Sequence, residues 1–296
     1  MDVRQYLQQW KDRIDRTLEA LLPAEEGRSS KLNQAMRYSV LGGGKRIRPI
    51  LAIAACEAVG GETEGILPFA CALEMVHAYS LVHDDLPAMD NDDFRRGRPT
   101  THRVYGDAMA ILAGDALLTA AFQTIGRGAL EKNLDPTLAI DVVREVSLAA
   151  GFSGMVGGQA VDMEFEGREV DLPTVEYIHT HKTGALILAS VRTGARFGQA
   201  SPKQLEAITK YGERIGLAFQ IVDDVLNVTG QRAELGKSIG SDEARKKATY
   251  PALVGVIESK RLAESLVEEA ISSIATLGKS ADPLREIARY LVSRES

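Results

Sequence analysis

The fold is indicated most strongly by residues 69–98, which read FACALEMVHAYSLVHDDLPAMDNDDFRRGR. An apolar helical stretch runs directly into five aspartates within ten residues, and three arginines within four residues follow. Carboxylates crowded in this way repel one another, and some would take up protons unless a cation neutralised them. Magnesium accepts such hard oxygen ligands and usually keeps waters or substrate phosphates as well. The stretch indicates a helix end that binds Mg²⁺; a solvated acidic turn is the alternative.

A second acidic pair occurs in FQIVDDVLN, residues 219–227. Gln220, Asp223 and Asn227 are three and four residues apart, so they share one face of a helix. Burying an isolated aspartate pair is costly, and we therefore expect a cation or a water-filled cleft beside it. Metal sites in helical bundles are assembled from side chains on facing helices. The two acidic helix ends are thus expected to face each other across a bundle.

Basic residues follow both acidic clusters and also occur in GGGKRIRP, residues 42–49. The forked donors of arginine suit phosphate recognition, so the arginines at 95–98 fit an anionic substrate. The 42–49 stretch is not a Walker A loop, but a glycine turn that opens a helix can present N–H groups and cations to a phosphate. Lysines at 237 and 246–247 follow the second acidic pair. Helix-linking turns and solvated lysines are the alternatives for these stretches.

Helical periodicity dominates the rest of the chain. Apolar residues recur at three- and four-residue steps from Val3 to Leu21 and stop near Pro23. Further helical stretches are predicted at 31–41, 49–59, 62–85, 105–130, 134–150, 154–166, 172–199 (with a break near Gly184), 202–228, 242–258 and in the C-terminal region. No alternating strand or fixed-period repeat is found, and the helix breakers lie between helices rather than in one linker. We predict an all-α fold, one large bundle of ten or more helices over residues 1–296.

Composition excludes several classes of protein. The 296 residues are 45% hydrophobic, with 35 basic and 41 acidic side chains and a net charge of −6. A chain of this size and apolar content buries a large core, which argues against intrinsic disorder. The acidic balance offers no general field for nucleic acid, so we expect no nucleic-acid partner. An anionic substrate must be held by local cations.

The cysteines and the N-terminus suggest a location. Cys56 and Cys71 lie in apolar stretches, so we expect free thiols packed as small hydrophobic groups, although their number permits one disulfide. No apolar run approaches the ~18 residues needed to span a bilayer, and the N-terminus lacks the pattern of a signal peptide. We expect a cytoplasmic location and no membrane span.

Six stretches together, in their order, resemble the trans-isoprenyl diphosphate synthases, the polyprenyl synthetase family. They are GGGKRIRP, EMVHAYSLVHDDLPAMDNDDFRRGRPTTH, GGQAVDM, HKTGALI, FQIVDDVLN and LGKSIGSDEARKKATYP. The DDLPAMD spacing looks like that of bacterial farnesyl and plant-type geranylgeranyl diphosphate synthases. The resemblance implies an isoprenoid synthase-like bundle around a central substrate cleft, and a homodimer. It also implies head-to-tail condensation of isopentenyl diphosphate with dimethylallyl and then geranyl diphosphate, giving trans farnesyl diphosphate and pyrophosphate.

The resemblance also implies roles for residues in these stretches. Several Mg²⁺ ions are expected, with the leading ligands Asp84, Asp90 and Asp223 and with Asp85 close behind. The residues expected to hold the allylic diphosphate are Arg95, Lys182 and Lys237. Those expected to hold isopentenyl diphosphate are Lys45, Arg48, His77 and Arg96. Thr183 and Gln220 would direct oxygen dipoles at the allylic cation, and Lys247 would lie near the diphosphates. The catalytic set so implied is Asp84, Asp90, Lys182, Thr183, Gln220 and Asp223.

One departure concerns Asn227, which stands where the family usually has a third aspartate. An amide oxygen can still bind Mg²⁺ or its water, but it carries no charge. We therefore expect activity to survive, and the substitution leaves the dependence on Mg²⁺ concentration open.

Product length is expected to depend on Tyr79 and Ser80, five and four residues before Asp84. Tyr79 lies about 7.5 Å down the helix axis from Asp84, but five residues rotate about 140°, so it is not directly beneath that aspartate. By resemblance, an aromatic residue at this position marks synthases that stop at the C15 product. Geranylgeranyl diphosphate is the alternative product, and an ordinary core role for Tyr79 is also open.

Two rival functions are weighed against chain elongation. A class I terpene cyclase also uses aspartate-rich Mg²⁺ sites, but it should lack Lys45, Arg48 and Arg96. A non-catalytic synthase subunit should have lost aspartates from the first motif, which this chain retains. A zinc site at His179 and His181 is disfavoured because residues two apart on a helix point in different directions.

Overall fold

The computed structural model describes residues 1–229 and 249–293, and this part of the chain is built almost entirely of helices. The helices are α1 Val3–Leu21, α2 Ser30–Leu41, α3 Ile47–Ala58, α4 Leu67–Asp84, α5 Thr101–Tyr105, α6 Asp107–Glu131, α7 Pro136–Ala150, α8 Met155–Phe165, α9 Leu172–Ile178, α10 Ala185–Phe197, α11 Pro202–Thr229, α12 Tyr250–Val254, α13 Val256–Ser273 and α14 Asp282–Val292. A π-helical turn, His179–Gly184, joins α9 to α10, and a 3₁₀ turn, Ala275–Ala281, precedes α14. The predicted all-α fold is confirmed.

The extended structure in the described residues is one short ribbon. Strand β1, Phe94–Arg95, pairs antiparallel with β2, Arg98–Pro99. Arg96 and Gly97 between them both have positive φ, which closes the tight turn. The ribbon matters because it carries the arginines that follow the first acidic motif.

Aspartates begin three of the helices. The Asp2, Asp135 and Asp171 side chains accept hydrogen bonds from backbone N–H groups in the first turns of α1, α7 and α9. Each such cap satisfies donors that have no partner within the helix and contributes about 1 kcal/mol. The sequence therefore specifies these helix starts locally.

Helices α3 and α4 form the centre of the core. Helix α4 buries nearly every residue of its first three turns, among them Phe69, Leu73 and Met75, because it is apolar on all sides. It packs against α6 on one side and α3 on another. Full burial of each large side chain contributes about 1.5–3 kcal/mol. This core anchors α4 firmly and delivers the acidic motif at its C-terminal end to a fixed position.

Two predicted helices differ in the structure. In the 172–199 stretch, predicted to break near Gly184, α9 ends at Ile178, and a π-helical turn that ends at Gly184 leads into α10. The stretch predicted at 242–258 lies partly outside the described residues. In its described part, Gly255 has φ of +83° and separates α12 from α13, so the helix does not continue through it.

Both cysteines are free and buried, as predicted. Burial raises the pKa of the Cys56 thiol to about 12. A thiol with so high a pKa is not a nucleophile at neutral pH, so Cys56 serves packing.

Helix α6 is the one described helix that is long and apolar enough to cross a membrane by length and composition. The prediction that no stretch approaches this length is wrong for α6, because Asp115 is the only charge between Ala108 and Gly126. Length and composition are weak evidence for a span, because a core helix of a soluble protein passes the same test. The absence of a membrane span therefore stays a prediction.

Candidate active site

A cavity of about 790 Å³ opens beside the C-terminal end of α4, between α4, α8, the π-helical turn and α11. Its volume falls within the range of about 300–1,000 Å³ typical of small-molecule sites. Most of the side chains singled out from the sequence line it together. They are Arg48, His77, Tyr79, Ser80, Asp84, Asp90, Arg95, Arg96, Lys182, Thr183, Gln220 and Asp223.

Two predicted residues in the described part of the chain are not on the cavity wall. Lys45 is exposed on the glycine loop, and Asp85 is buried beside the cavity. Lys237 and Lys247 lie outside the described residues, so their roles stay predictions.

The acidic wall is built by a tight loop at the end of α4. The backbone N–H of Asp90 donates to the carbonyl of Asp84 at 2.8 Å, and that of Asn91 donates to Leu86 at 3.0 Å. Asn91 adopts a positive φ of 50°, which helps to turn the chain. The loop therefore folds back and brings Asp90 to the same cavity as Asp84.

The opposite acidic contribution comes from α11. Gln220, Asp223 and Asn227 all line the cavity, which confirms the helical face predicted from their spacing. Carboxylates from α4 and α11 thus reach one cavity from two helices. This is the arrangement expected from the two aspartate-rich stretches.

Asp85 holds Arg95. Its carboxylate accepts from Arg95 Nε at 2.7 and 2.9 Å and from Nη2 at 2.5 Å. Burial acts to lower the pKa of Arg95, but the hydrogen bonds and charge of Asp85 outweigh it and raise that pKa. Asp85 therefore fixes the guanidinium of Arg95 at the cavity edge, and its expected role as a metal ligand stays a prediction.

The basic end of the cavity is made by Arg48, His77 and Arg96. Arg48 Nε is buried and has no hydrogen-bond partner within the described residues. Burial first, and then the charge of Arg96, bring the pKa of Arg48 down to about 10. Burial, with Arg48 and Arg96 adding to it, also lowers the pKa of His77 well below its usual value. The desolvated cations Arg48 and Arg96 favour the arrival of an anion, whereas His77 is neutral at pH 7.

Arg96 reaches the glycine loop across the cavity mouth. Its Nη1 donates to the carbonyl of Gly43, and a Cβ on Gly44 would lie 2.6 Å from the same nitrogen. Gly44 also has φ of +134°, a conformation that side chains rarely adopt. The positive φ of Gly43 and Gly44 favours glycine at this turn, and the contact joins two basic stretches that are distant in sequence.

Arg46 is a residue that the motifs did not single out. It is 3% exposed, and its guanidinium donates to Asp15, Glu74 and the Val40 carbonyl, each at 2.7 Å. Arg46 also adopts φ of 52° immediately before α3. It ties the glycine loop to α1 and α4, while Arg48, two residues on, lines the cavity. The sequence signal was weak, because its partner Glu74 lies on another helix.

Lys182 projects from the π-helical turn. Its Nζ donates to Asp162 of α8 at 2.7 Å. Burial acts to lower its pKa, but the charge of Asp162, followed by that of Asp84, outweighs burial and raises it. The lysine therefore stays protonated beside the acidic wall. π-helical turns occur frequently at functional sites.

Helix α8 contributes two further features that no motif role predicted. A Cβ on Gly158 would lie 2.3 Å from the backbone nitrogen of Lys182, so only glycine allows α8 to approach the π-helical turn. Gln159 lines the cavity, and its Oε1 is buried with no hydrogen-bond partner among residues 1–229 and 249–293. An unsatisfied buried oxygen facing a cavity is available to a ligand. The GGQAVDM stretch was the available signal.

The donor set suits Mg²⁺ together with a diphosphate. Among the described residues, no three acidic, histidine or cysteine side chains lie close enough to form a metal site by themselves. Mg²⁺ does not require such a cluster, since it usually binds through one or two carboxylates plus substrate phosphates and waters. Asp84, Asp90 and Asp223 supply hard oxygens around one cavity.

Known proteins match along nearly the whole chain. The polyprenyl synthetase family model matches residues 29–283. A geranylgeranyl diphosphate synthase of Cyanophora paradoxa is 48% identical over 292 residues, covering 98% of this chain and 96% of the relative. A farnesyl diphosphate synthase of Geobacillus stearothermophilus is 43% identical over 295 residues, covering 100% and 99%. The crystal structure of a FPP/GFPP synthase from Zymomonas mobilis has a TM-score of 0.88 at 38% identity and covers 99% of both chains.

Proposed function

We propose that this chain, which belongs to the polyprenyl synthetase family, condenses isopentenyl diphosphate with dimethylallyl and then geranyl diphosphate to make trans farnesyl diphosphate. Membership of the family makes it a short-chain trans-prenyltransferase. The farnesyl product, the use of Mg²⁺ and a homodimeric assembly are the finer parts of the proposal. Each rests on a separate feature of the structure.

The observation that carries the proposal is the division of one cavity into acidic and basic walls. On the acidic side Lys182 interacts with Asp84 and Asp90, and on the basic side Arg48 and Arg96 interact with His77 and with each other. Two diphosphates need separate places, because their charges repel one another. The acidic side suits a diphosphate that brings Mg²⁺, and the basic side suits one bound by cations directly. A terpene cyclase, with a single diphosphate substrate, has no use for the second place.

The reaction places simple demands on these residues. The C–O bond of the allylic diphosphate breaks, and both electrons leave with pyrophosphate. The double bond of isopentenyl diphosphate supplies the electrons for the new C–C bond, and the proton then lost passes to the departing pyrophosphate. Bound Mg²⁺ would neutralise charge developing on the leaving group.

This chain's residues would support each stage. Lys182, kept protonated by Asp162, adds a fixed cation beside the leaving group. Thr183 and Gln220 line the same cavity and can direct oxygen dipoles at the allylic cation. Arg48 and Arg96 hold the second diphosphate, so its double bond is presented in one orientation.

Tyr79 supports the C15 product. Its side chain is 6% exposed, lines the cavity and meets His83 edge-on with ring centroids 5.8 Å apart. Burial and the charge of Asp84 raise the pKa of Tyr79 to about 12, so the ring stays neutral. A bulky neutral ring held on the wall limits the depth available to a growing apolar tail. The relatives carry both farnesyl and geranylgeranyl names, so C20 is the second candidate product.

The test is a product analysis of the purified protein with Mg²⁺, isopentenyl diphosphate and either allylic primer. We expect wild type to end at the C15 prenol after dephosphorylation. Tyr79→Ala removes the ring and should move the main product to C20, whereas Tyr79→Phe keeps the ring and should remain at C15. A C20 product from wild type, or identical chromatograms for both variants, would reject the role of Tyr79. No elongation at any Mg²⁺ concentration would reject the proposed reaction.

The homodimer is supported by exposed apolar side chains between α5 and α8, two of which, Ile111 and Val156, also line the cavity. They include Val104, Ile111, Leu112, Leu130, Ile140, Leu148, Phe152 and Val156. Apolar side chains this numerous in one region of the chain favour burial against a partner. Light scattering coupled to size exclusion should give twice the chain mass of 32.0 kDa. A monomer at micromolar concentration would contradict this assembly.

A further inference from the structure

A buried hydrogen-bonded network is centred on the second aspartate of the α11 pair, at the edge of the cavity, which both His179 and Asp224 help to line. Asp224 Oδ2 accepts from His179 Nε2 at 2.9 Å and from the backbone N–H of Tyr250 at 2.9 Å. The rings of His179 and Tyr250 stack with centroids 5.5 Å apart, and the Tyr250 hydroxyl donates to Glu176 at 2.9 Å. His179 and Asp224 are 6% and 7% exposed. A carboxylate has no hydrogen to give, so His179 is the donor.

The network joins two elements that carry active-site groups. His179 is the first residue of the π-helical turn, which also bears Lys182 and Thr183. Asp224 follows Asp223 directly on α11. The hydrogen bond therefore links the turn that holds the cavity cation to the helix that holds a cavity carboxylate. It is formed by side chains separated by 45 positions in the sequence.

The π-helical turn is closely packed at its other points of contact. Gly158 of α8 approaches its backbone so closely that a Cβ would lie 2.3 Å from the nitrogen of Lys182. Gly216 of α11 approaches Gly184, with a Cβ on Gly216 placed 2.9 Å from the Gly184 Cα. Glycine contacts restrain distance but have no directional bonds. The His179–Asp224 hydrogen bond supplies the direction, because it fixes the start of the turn relative to α11.

We propose that His179 is a positioning residue, which through its hydrogen bond to Asp224 holds Lys182 and Thr183 in register with Asp223 for the allylic diphosphate. The inference rests on the proposed function and deepens it. The basic side of the cavity is not part of this network. The binding of isopentenyl diphosphate is therefore expected to be independent of His179.

The neighbouring His181 provides a matched control. It lies two residues away on the same turn, but its ring stacks on Tyr177 with centroids 3.8 Å apart, and its Nδ1 lies 2.8 Å from the carbonyl of Tyr177. It is not among the residues that line the cavity. His181→Phe thus makes the same chemical change in the same turn without touching the link to α11.

The test compares four variants in the full chain by steady-state kinetics and thermal unfolding. His179→Phe keeps a ring on Tyr250 and removes the donor, and it should lower kcat at least tenfold and raise KM for the allylic diphosphate. KM for isopentenyl diphosphate should stay within twofold. His179→Gln places an amide N–H near the former Nε2 and should recover kcat to within about threefold of wild type, whereas the shorter His179→Asn should not. His181→Phe should match wild type.

Several results would overturn the inference. Equal kcat values for His179→Phe and His181→Phe would contradict it. Equal activities for His179→Gln and His179→Asn would also contradict it. These two polar variants also decide the matter if the Phe variant does not fold. An equal rise in KM for both substrates would show general disruption rather than positioning.

A binding measurement separates this inference from the proposed function. Calorimetric titration with Mg²⁺ and inorganic pyrophosphate should give an affinity at least fivefold weaker for His179→Phe than for His181→Phe. If wild type binds pyrophosphate but elongates nothing, the proposed function fails while this comparison still tests His179. If wild type does not bind pyrophosphate, both fail.

Discussion

The buried contact between Arg46 and Glu74 permits a quantitative prediction. The two side chains are 1% and 3% exposed, and Arg46 Nη1 lies 2.7 Å from Glu74 Oε1. Asp15, the second carboxylate on Arg46, is 35% exposed and retains contact with water. Arg46→Met keeps an unbranched side chain of similar length but removes every donor. It leaves Glu74 buried beside α3 without its guanidinium.

The magnitude follows from which partner remains. Removing one member of a buried ion pair destabilises a protein by about 3–5 kcal/mol, because the other charge stays desolvated. In a chain of this size, 1 kcal/mol corresponds to a change in Tm of about 2–4 °C. Arg46→Met should therefore lower Tm by roughly 6–20 °C. The double variant Arg46→Met/Glu74→Leu removes both charges and should recover most of that loss, since apolar replacement of a buried pair is often neutral.

The assay is thermal unfolding followed by circular dichroism at 222 nm for wild type, both single variants and the double variant. Arg16→Met serves as the control, since Arg16 is exposed on α1 and such substitutions usually change stability by less than about 0.5 kcal/mol. Kinetics provide a second readout. The double variant lacks the anchor of the glycine loop, so it should fold stably yet show a raised KM for isopentenyl diphosphate.

Two outcomes would refute this reasoning. If Arg46→Met lowers Tm no more than Arg16→Met, water replaces the guanidinium around Glu74, and the buried pair does not contribute to stability. If the double variant loses as much as the two single variants added together, the pair has no coupling, and Glu74 is not the charge left unpaired.

The remaining predictions concern Asp84 and His77. Asp84→Ala should lower kcat at least about a hundredfold with unchanged helical content, because it removes several kcal/mol of metal-assisted stabilisation. The control Asp93→Ala removes an exposed carboxylate that pairs with Arg103 on the surface, and it should retain activity. A fully active Asp84→Ala would contradict the metal assignment. The pKa of His77 in the folded chain lies below its unfolded value near 6.5. This difference leaves stability unaffected above pH 6.5. As the pH drops from 6.5 towards the folded pKa, stability decreases by up to about 1.4 kcal/mol per pH unit. The denaturation midpoint of His77→Gln should therefore decrease less than that of wild type between pH 6.5 and 5. Equal decreases for the two proteins would contradict this contribution of His77.

Much of the helical framework could be predicted because amphipathic helices record their buried face in the sequence. In α1, Trp10, Ile14 and Leu18 recur at four-residue steps and are buried, as predicted. Helix α4 is apolar on all sides, so its sequence showed a helix but not which neighbour each side contacts. The π-helical turn had no local signal, because its wider hydrogen-bonding pattern depends on packing against α8 and α11.

The candidate site was predictable where a residue type and its helical position determine the chemistry. The shared face of Gln220, Asp223 and Asn227 follows from spacing alone and is confirmed on the cavity wall. Tyr79 could be placed only along the helix axis, since its rotation away from Asp84 suggested that the two do not overlap. Both nevertheless line one cavity, because the cavity extends around the side of α4 as well as beneath its end. The partner of Arg46 was not predictable, since tertiary packing alone brings Glu74 to it.

In both aspartate pairs the two carboxylates have different roles, which could not be predicted from the sequence alone. In each pair the first carboxylate, Asp84 or Asp223, lines the cavity. The second is buried and accepts hydrogen bonds from protein donors: Asp85 holds Arg95, and Asp224 holds His179. One step along a helix rotates a side chain by about 100°, so adjacent carboxylates point in different directions even where both border the cavity, as Asp223 and Asp224 do.

This geometry explains why adjacent aspartates are useful at these helix ends. The buried member of each pair accepts a hydrogen bond from a side chain of another element, Arg95 or His179, and so fixes that side chain. Through this bond, the position of Asp84 or Asp223 is fixed by a second element as well as by its own helix. Asp85→Asn should therefore impair the placement of Arg95 and raise KM for the diphosphate that Arg95 contacts, with a smaller loss of kcat than Asp84→Ala causes. Steady-state kinetics on both variants would measure this difference, and an equal loss of kcat would show that Asp85 and Asp84 serve the same ligand.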